Sequence, residues 1–165
     1  MSNDELPLKA ITRESVSKAI DKADHYRLLN EPEEAESICE DVLAIEPGNQ
    51  RAVRTLVLAL TDQFGNAGSV NQAKQYAQRL TDEYERAYYT GIVFERQARA
   101  QLRSVTGAND AHDDFRDAMA WYEKAEQLRP AGNDDALLRW NSCVRSIRRH
   151  RLQPAPVHAP AVEGE

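Results

Sequence analysis

Asp110, His112, Asp113 and Asp114 form the one stretch of the chain in which a histidine stands among carboxylates. Imidazole nitrogen with carboxylate oxygen is a donor set that zinc accepts, so this run is the first candidate for a metal site. The competing reading is helical: acidic side chains at a helix start meet the partial positive charge of its free N–H groups. Glu31, Glu33, Glu34, Glu36, Glu40 and Asp41 could likewise serve acid–base chemistry. They fall on the polar side of an amphipathic helix, where a solvated face is the simpler account. Cys39 and Cys143, the only cysteines, occupy apolar helical positions outside any paired or metal-type spacing and read as buried reduced thiols. His25, His150 and His158 are scattered. The sequence has no Gly-rich phosphate loop, nucleophile elbow or paired-Cys motif. The expectation is therefore no catalytic residue, no metal and no cofactor. Arg145, Arg148, Arg149 and Arg151 with His150 make a basic helix end. Cations there complement the C-terminal partial charge; the alternative is contact with an acidic partner, or weak self-association through the acidic helix of another copy.

Composition narrows the classes further. A chain of 165 residues suits one domain. Its net charge of −6 opposes general nucleic-acid binding, which needs a positive surface to displace counterions from phosphates, and opposes docking on an anionic membrane. No apolar run approaches the roughly 18–20 residues of a membrane span. The acidic opening, Met1 to Pro7, lacks the basic start and apolar core of a secretory signal. With two unpaired thiols, the expected location is cytoplasmic.

The elements are helical throughout. Thr12 or Ser15 is a candidate N-cap for a first helix ending near Leu29. Asn30-Glu31-Pro32 separates it from a second, whose stripe is Ala35, Ile38, Cys39, Val42 and Leu43 and whose stop is Pro47-Gly48. A third helix, 50–64, carries Val53, Leu56, Val57 and Leu60. A fourth, 70–80, carries Val70, Ala73, Ala77 and Leu80. Thr81 is placed to cap a fifth, 82–103. A loop around Thr106 to Asn109 leads to a sixth, 113–128, with Phe115, Ala118, Met119, Tyr122 and Ala125. Pro130 and Gly132 precede a seventh, 134–149. Residues 1–12 read as a flexible lead-in, 13–152 as the helical domain, and 153–165, rich in Pro and Ala, as a disordered tail.

Two segments repeat. Ala35 to Pro47 and Ala118 to Pro130 share the small residue, the proline twelve positions on, and the apolar positions between. The pattern resembles the tetratricopeptide repeat, a helix–turn–helix unit of about 34 residues. About three repeats and a capping helix would cover 16–150. Ala23 and Tyr26, Val57 and Leu60, and Gly91 and Phe94 stand at the small and aromatic positions of the first helices. Cys39 and Tyr122 are expected to pack into neighbouring units. Ala118 lies farther from Ala35 than two such repeats allow, which places an insertion within 99–112. The middle unit lacks its closing proline, and its register between 65 and 90 stays open.

The resemblance implies an all-α superhelix of antiparallel pairs whose first helices line a concave groove for a partner peptide or helix. The groove positions it implies are Ile20, Asp21, Asp24, Arg27 and Leu28 in the first unit. They continue as Arg51, Arg54, Thr55, Leu58 and Asp62 in the second, and as Tyr88, Tyr89, Ile92, Glu95 and Arg96 in the third. Any of these could instead complete the core. Family members that capture the acidic tails of heat-shock chaperones use Lys and Asn around the terminal carboxylate. Ile20, Asp24 and Thr55 stand in those places here, and an Asp there repels a carboxylate. Arg51, Arg54 and Arg96 remain available for an acidic stretch elsewhere along a peptide. The function expected is an adaptor, scaffold or assembly factor. The alternatives are a chaperone for secreted proteins or a non-catalytic regulatory subunit of an enzyme.

Overall fold

The computed structural model describes residues 6–66, 68–104 and 108–157, without the side chains of Ala108 and Asn109. Seven α-helices and no strand occur among them: α1 (Val16–Leu28), α2 (Pro32–Ile45), α3 (Gln50–Asp62), α4 (Val70–Gln78), α5 (Glu83–Leu102), α6 (Ala108–Leu128) and α7 (Asp135–Arg149). The expected helix at 113–128 begins five residues earlier, and the anticipated loop residues Ala108 and Asn109 lie inside it. Thr106 and Gly107 fall outside the described residues, as do most of the expected tail and the start of the lead-in.

Local chemistry explains the boundaries. Asn49, Ser69 and Asp82 each accept a hydrogen bond from the backbone N–H three residues on, capping α3, α4 and α5. Asp82 thus takes the role expected of Thr81, because it directly precedes the first helical residue. Neither candidate cap of α1 accepts from its helix; instead the Ser15 hydroxyl donates to the Thr12 carbonyl across a short 3₁₀ turn, Arg13–Ser15. Asn30, at φ 61°, ends α1. Glu31 N–H reaches the Tyr26 carbonyl at 2.9 Å and Asn30 N–H reaches that of Arg27 at 3.0 Å, which together close the last turn. Pro32 then starts α2 where its missing donor does no harm. The same pair of bonds, from Leu152 to Ile147 and from Arg151 to Arg148, ends α7 around Arg151 at φ 50° and tucks Leu152 into the core.

Consecutive helices pack against each other along the chain, and α1, α3 and α5 also touch in series, so antiparallel pairs stand in a row. Val16, Ile20 and Ala23 of α1 close on Ala35, Cys39 and Val42 of α2, with α3, α4 and Val93 of α5 completing one cluster. A second cluster joins α5, α6 and α7, and Tyr89 packs against both. Burial pushes the Cys39 and Cys143 thiols up to about 12, so both stay protonated and unreactive at neutral pH.

Of the stretch 99–112 where an insertion was expected, most of the described residues are helical, in the end of α5 and the start of α6. α5 and α6 have 20 and 21 residues against 13 and 14 in α1 and α2, about two extra turns each. What lets this long pair close is Gly91. A Cβ there would stand 2.6 Å from the Tyr122 ring, closer than atoms can approach. Tyr122 is therefore seated against α5 of its own pair, and it also shares a buried cluster with Ala136 and Cys143 of α7, the following helix. Gly91→Ala should lower stability by about 1–3 kcal/mol through overpacking, despite the roughly 1 kcal/mol helix-propensity gain of alanine. Urea denaturation measures this, and a more stable variant would mean that the ring moves freely.

Candidate functional site

The outward face of α1, α3 and α5 is the surface the sequence singles out. Asp24, Arg27, Arg51, Arg54, Leu58, Tyr88, Tyr89 and Arg96 are all partly exposed on it, and Leu28 is 86% exposed. Ile92, expected there, is buried, as are Ile20, Thr55 and Glu95. The cause in α5 is α7: Ile92 packs in one cluster with Ala136 and Cys143, and Arg139 of α7 bonds Glu95. Leu58 is partly covered too, packing against that same second cluster.

The charged side chains on this face are largely spoken for by one another. Arg51 bonds Asp21 and Asp24, and Asp24 also accepts from the Thr55 hydroxyl at 2.8 Å. Arg54 makes a bidentate-type contact with Glu85, at 2.9 and 3.0 Å from one nitrogen. Asp62 bridges Arg27 at 2.8 Å and Arg96 at 3.2 Å. Each contact crosses from one pair's first helix to the next, so the row of pairs is laced together along the face. Arg51, Arg54 and Arg96, expected to engage an acidic stretch of a partner, each meet a carboxylate of a neighbouring helix within the chain itself.

The tyrosines form a connected group. Tyr84 stacks on Tyr88 at 5.8 Å between ring centroids, and Tyr88 meets Tyr89 edge-on at 5.4 Å. The Tyr88 hydroxyl accepts from Arg139 Nε at 3.2 Å. Burial raises the Tyr89 phenol above its ordinary pKa, so it remains a neutral donor at physiological pH.

Behind the face sits a carboxylate that sequence reasoning assigned to the groove. Glu95 is 2% exposed. Its Oε1 accepts from Arg99 Nη2 at 2.8 Å; its Oε2 accepts from the Tyr122 hydroxyl at 2.6 Å and from Arg139 Nη1 at 3.4 Å. Burial and the adjacent Glu95 both push the Tyr122 phenol well above its normal range. Burial, the largest single influence, works against the Arg139 charge, but Glu95, Tyr122 and Tyr88 together outweigh it and raise that group's pKa. The only sequence signal for this node is the coincidence of Glu95 with Gly91 one turn before it.

His112 Nδ1 lies 3.1 Å from Asp113 Oδ1, while Asp110 is exposed. Among the described residues no group of three or more His, Cys, Asp or Glu side chains is placed to hold a metal ion, and no helix is long and apolar enough to cross a membrane. Asp114 behaves differently from its neighbours. Burial, then the nearby Asp117, raise its carboxyl to about 6, with Asp110 adding to the rise and Lys74 and Gln101 opposing it.

No protein-family model matches this chain, and no curated protein matches it either.

Two measurements follow from this geometry. Glu95→Gln should cost about 2–4 kcal/mol, because it leaves two guanidinium groups facing a neutral amide. Glu85→Gln, on the half-exposed pair, should cost under about 1 kcal/mol. Equal losses in urea titrations would remove Glu95 from its special place. For Asp114, the folded-state value is raised, so the proton it holds stabilises the fold below pH 3.8, and that contribution is lost as pH rises through about 6. Asp114→Asn should accordingly exceed the parent in stability at pH 7.5 by about 1 kcal/mol, allowing for partial exposure, and the gap should close towards pH 4.5. A pH-independent difference would contradict the assignment.

Proposed function

We propose that this chain is a tetratricopeptide-type interaction module that binds a segment of another protein along the face of α1, α3 and α5. The observation that carries the reading is the row of first helices itself. Three parallel helices present an exposed leucine, half-exposed tyrosines and laterally paired charges on one side, while the second helices pack behind them. Tyrosines held by stacking offer rigid area with polar tips and lose little entropy on binding. The lateral ion pairs hold their side chains in one arrangement, so a partner meets a surface that is already ordered.

Small residues where helices meet support the repeat family. Ala35 and Ala118 are fully buried, Gly91 admits the Tyr122 ring, and Pro47 and Pro130 follow the second helix of their pairs. The module performs no catalytic step in this reading. The cytoplasm is its proposed location, in keeping with two buried thiols that are not joined to each other. Partners are proteins rather than nucleic acid, in keeping with the net charge of −6.

The test is comparative capture of partners by the parent chain and three variants. Leu28→Glu and Arg54→Glu should each weaken retention of a captured partner by about tenfold or more, since both alter the face. Gln75→Glu, exposed on α4 behind it, should leave retention intact. Retention lost in the α4 variant and kept in the other two would place binding on another surface.

A further inference from the structure

Charge is not evenly compensated along the face. At the level of Arg51 and Arg54, every guanidinium meets a carboxylate of the adjacent helix: Asp21 and Asp24 for the first, Glu85 for the second. One to two turns further on, near the C-terminal ends of α1, α3 and α5, the balance fails. A cavity of about 280 Å³ there is lined by Arg27, Arg96, Arg99 and Arg103, with Asp62 as its one carboxylate. Both Asp62 oxygens are engaged, by Arg27 and Arg96. Arg99 leans on Glu95, which it shares with Arg139, and on the hydroxyls of Ser142 and Ser146. Counting those neighbours, five guanidinium groups share two carboxylates. The Arg103 side chain, exposed at the rim, reaches the Phe64 carbonyl at 3.4 Å among the described residues.

In a chain of net charge −6, a concentration of positive charge opposes the prevailing sign. Like charges held within a few ångströms repel, and the repulsion is relieved by a bound anion. Guanidinium forks suit the tetrahedral oxygens of phosphate, and the excess of about three charges suits a dianion better than one carboxylate. We infer that this cavity is a subsite for a phosphate monoester carried on the segment that the face binds. The anion chemistry rests on the cavity alone, and only its carrier rests on the proposed function above.

The cavity is tested without any partner. The ¹⁵N-labelled protein is titrated at constant ionic strength with inorganic phosphate, with O-phosphoserine blocked at both termini, and with acetate, following the arginine Nε–H resonances. Saturable shifts at Arg96 and Arg103 are expected with both phosphates, at concentrations at least about fivefold below those acetate requires. Arg103→Gln, whose wild-type side chain makes a long contact, should weaken phosphate binding about tenfold and leave the amide spectrum otherwise folded. Arg13→Gln, exposed before the N-terminus of α1 and so at the opposite end of that helix from Arg27, should change nothing. Non-saturating shifts shared by all three anions, or equal weakening by Arg13→Gln, would overturn the subsite. Binding of inorganic phosphate but not of blocked phosphoserine would overturn the partner-borne carrier. Neither result depends on the capture experiment, whose failure would instead remove the face as a protein-binding surface.

Discussion

A carboxylate 2% exposed in a helical interior must be met by charge and hydrogen bonds, and the architecture around Glu95 follows from that requirement. Tyr122 is supplied by α6, Arg139 by α7, and Arg99 from one turn further along α5 itself. Three helices are thus tied to one side chain. Apolar contacts alone would tolerate a range of angles between α5 and α7. A buried ion pair tolerates few, because a small rotation strands an ion where water cannot reach it. The last helix is held at a defined angle against the rest, and Leu152, just beyond it, seals the end.

The same node sets what the exposed face can offer. With α7 drawn onto α5, Ile92 and Glu95 become interior, and Tyr88 is oriented by Arg139. The aromatic surface left to solvent is therefore narrower than three equivalent repeats would give. It is also more rigid, since Tyr88 contacts Tyr84, Tyr89 and Tyr122 together. Gly91 belongs to this arrangement: without its missing side chain the Tyr122 ring could not approach α5, and its hydroxyl could not reach Glu95 one turn on.

Most helices are readable from the sequence because their cause is local. The stripe from Ala35 to Leu43 has the 3.6-residue period, and Pro32 and Pro47-Gly48 bound it by chemistry that acts within a turn. Burial confirms Ala35, Cys39, Val42 and Leu43 as its inner side. The long pair is less legible: Asp110 to Asp114 look like a helix start on charge alone, yet α6 already runs through them. Glu95 is not legible at all. A glutamate in a helix reads as solvated unless the partner arginine, 44 residues away, is known to come beside it. The pairing of Arg51 and Arg54 has the same character, since a groove arginine and a groove carboxylate look equally free until the spacing between first helices is fixed.

That spacing explains why compensation breaks down at one end. Parallel first helices put residues of like position side by side, so an arginine is neutralised only where the next helix carries an acid at a matching level. Asp24 against Arg51 and Glu85 against Arg54 meet that condition. At the far end α3 offers only Asp62, which lies between Arg27 on one side and Arg96 on the other. α5 continues about two turns beyond the length of α1 and adds Arg99 and Arg103 where α3 has already ended. The lengthening that closes the long pair thus also projects Arg99 and Arg103 past the end of the neighbouring helices, where Glu95 of α5 itself meets the first of them. A single extension of α5 accompanies both the close seating of Tyr122 on Gly91 and the arginine-lined cavity.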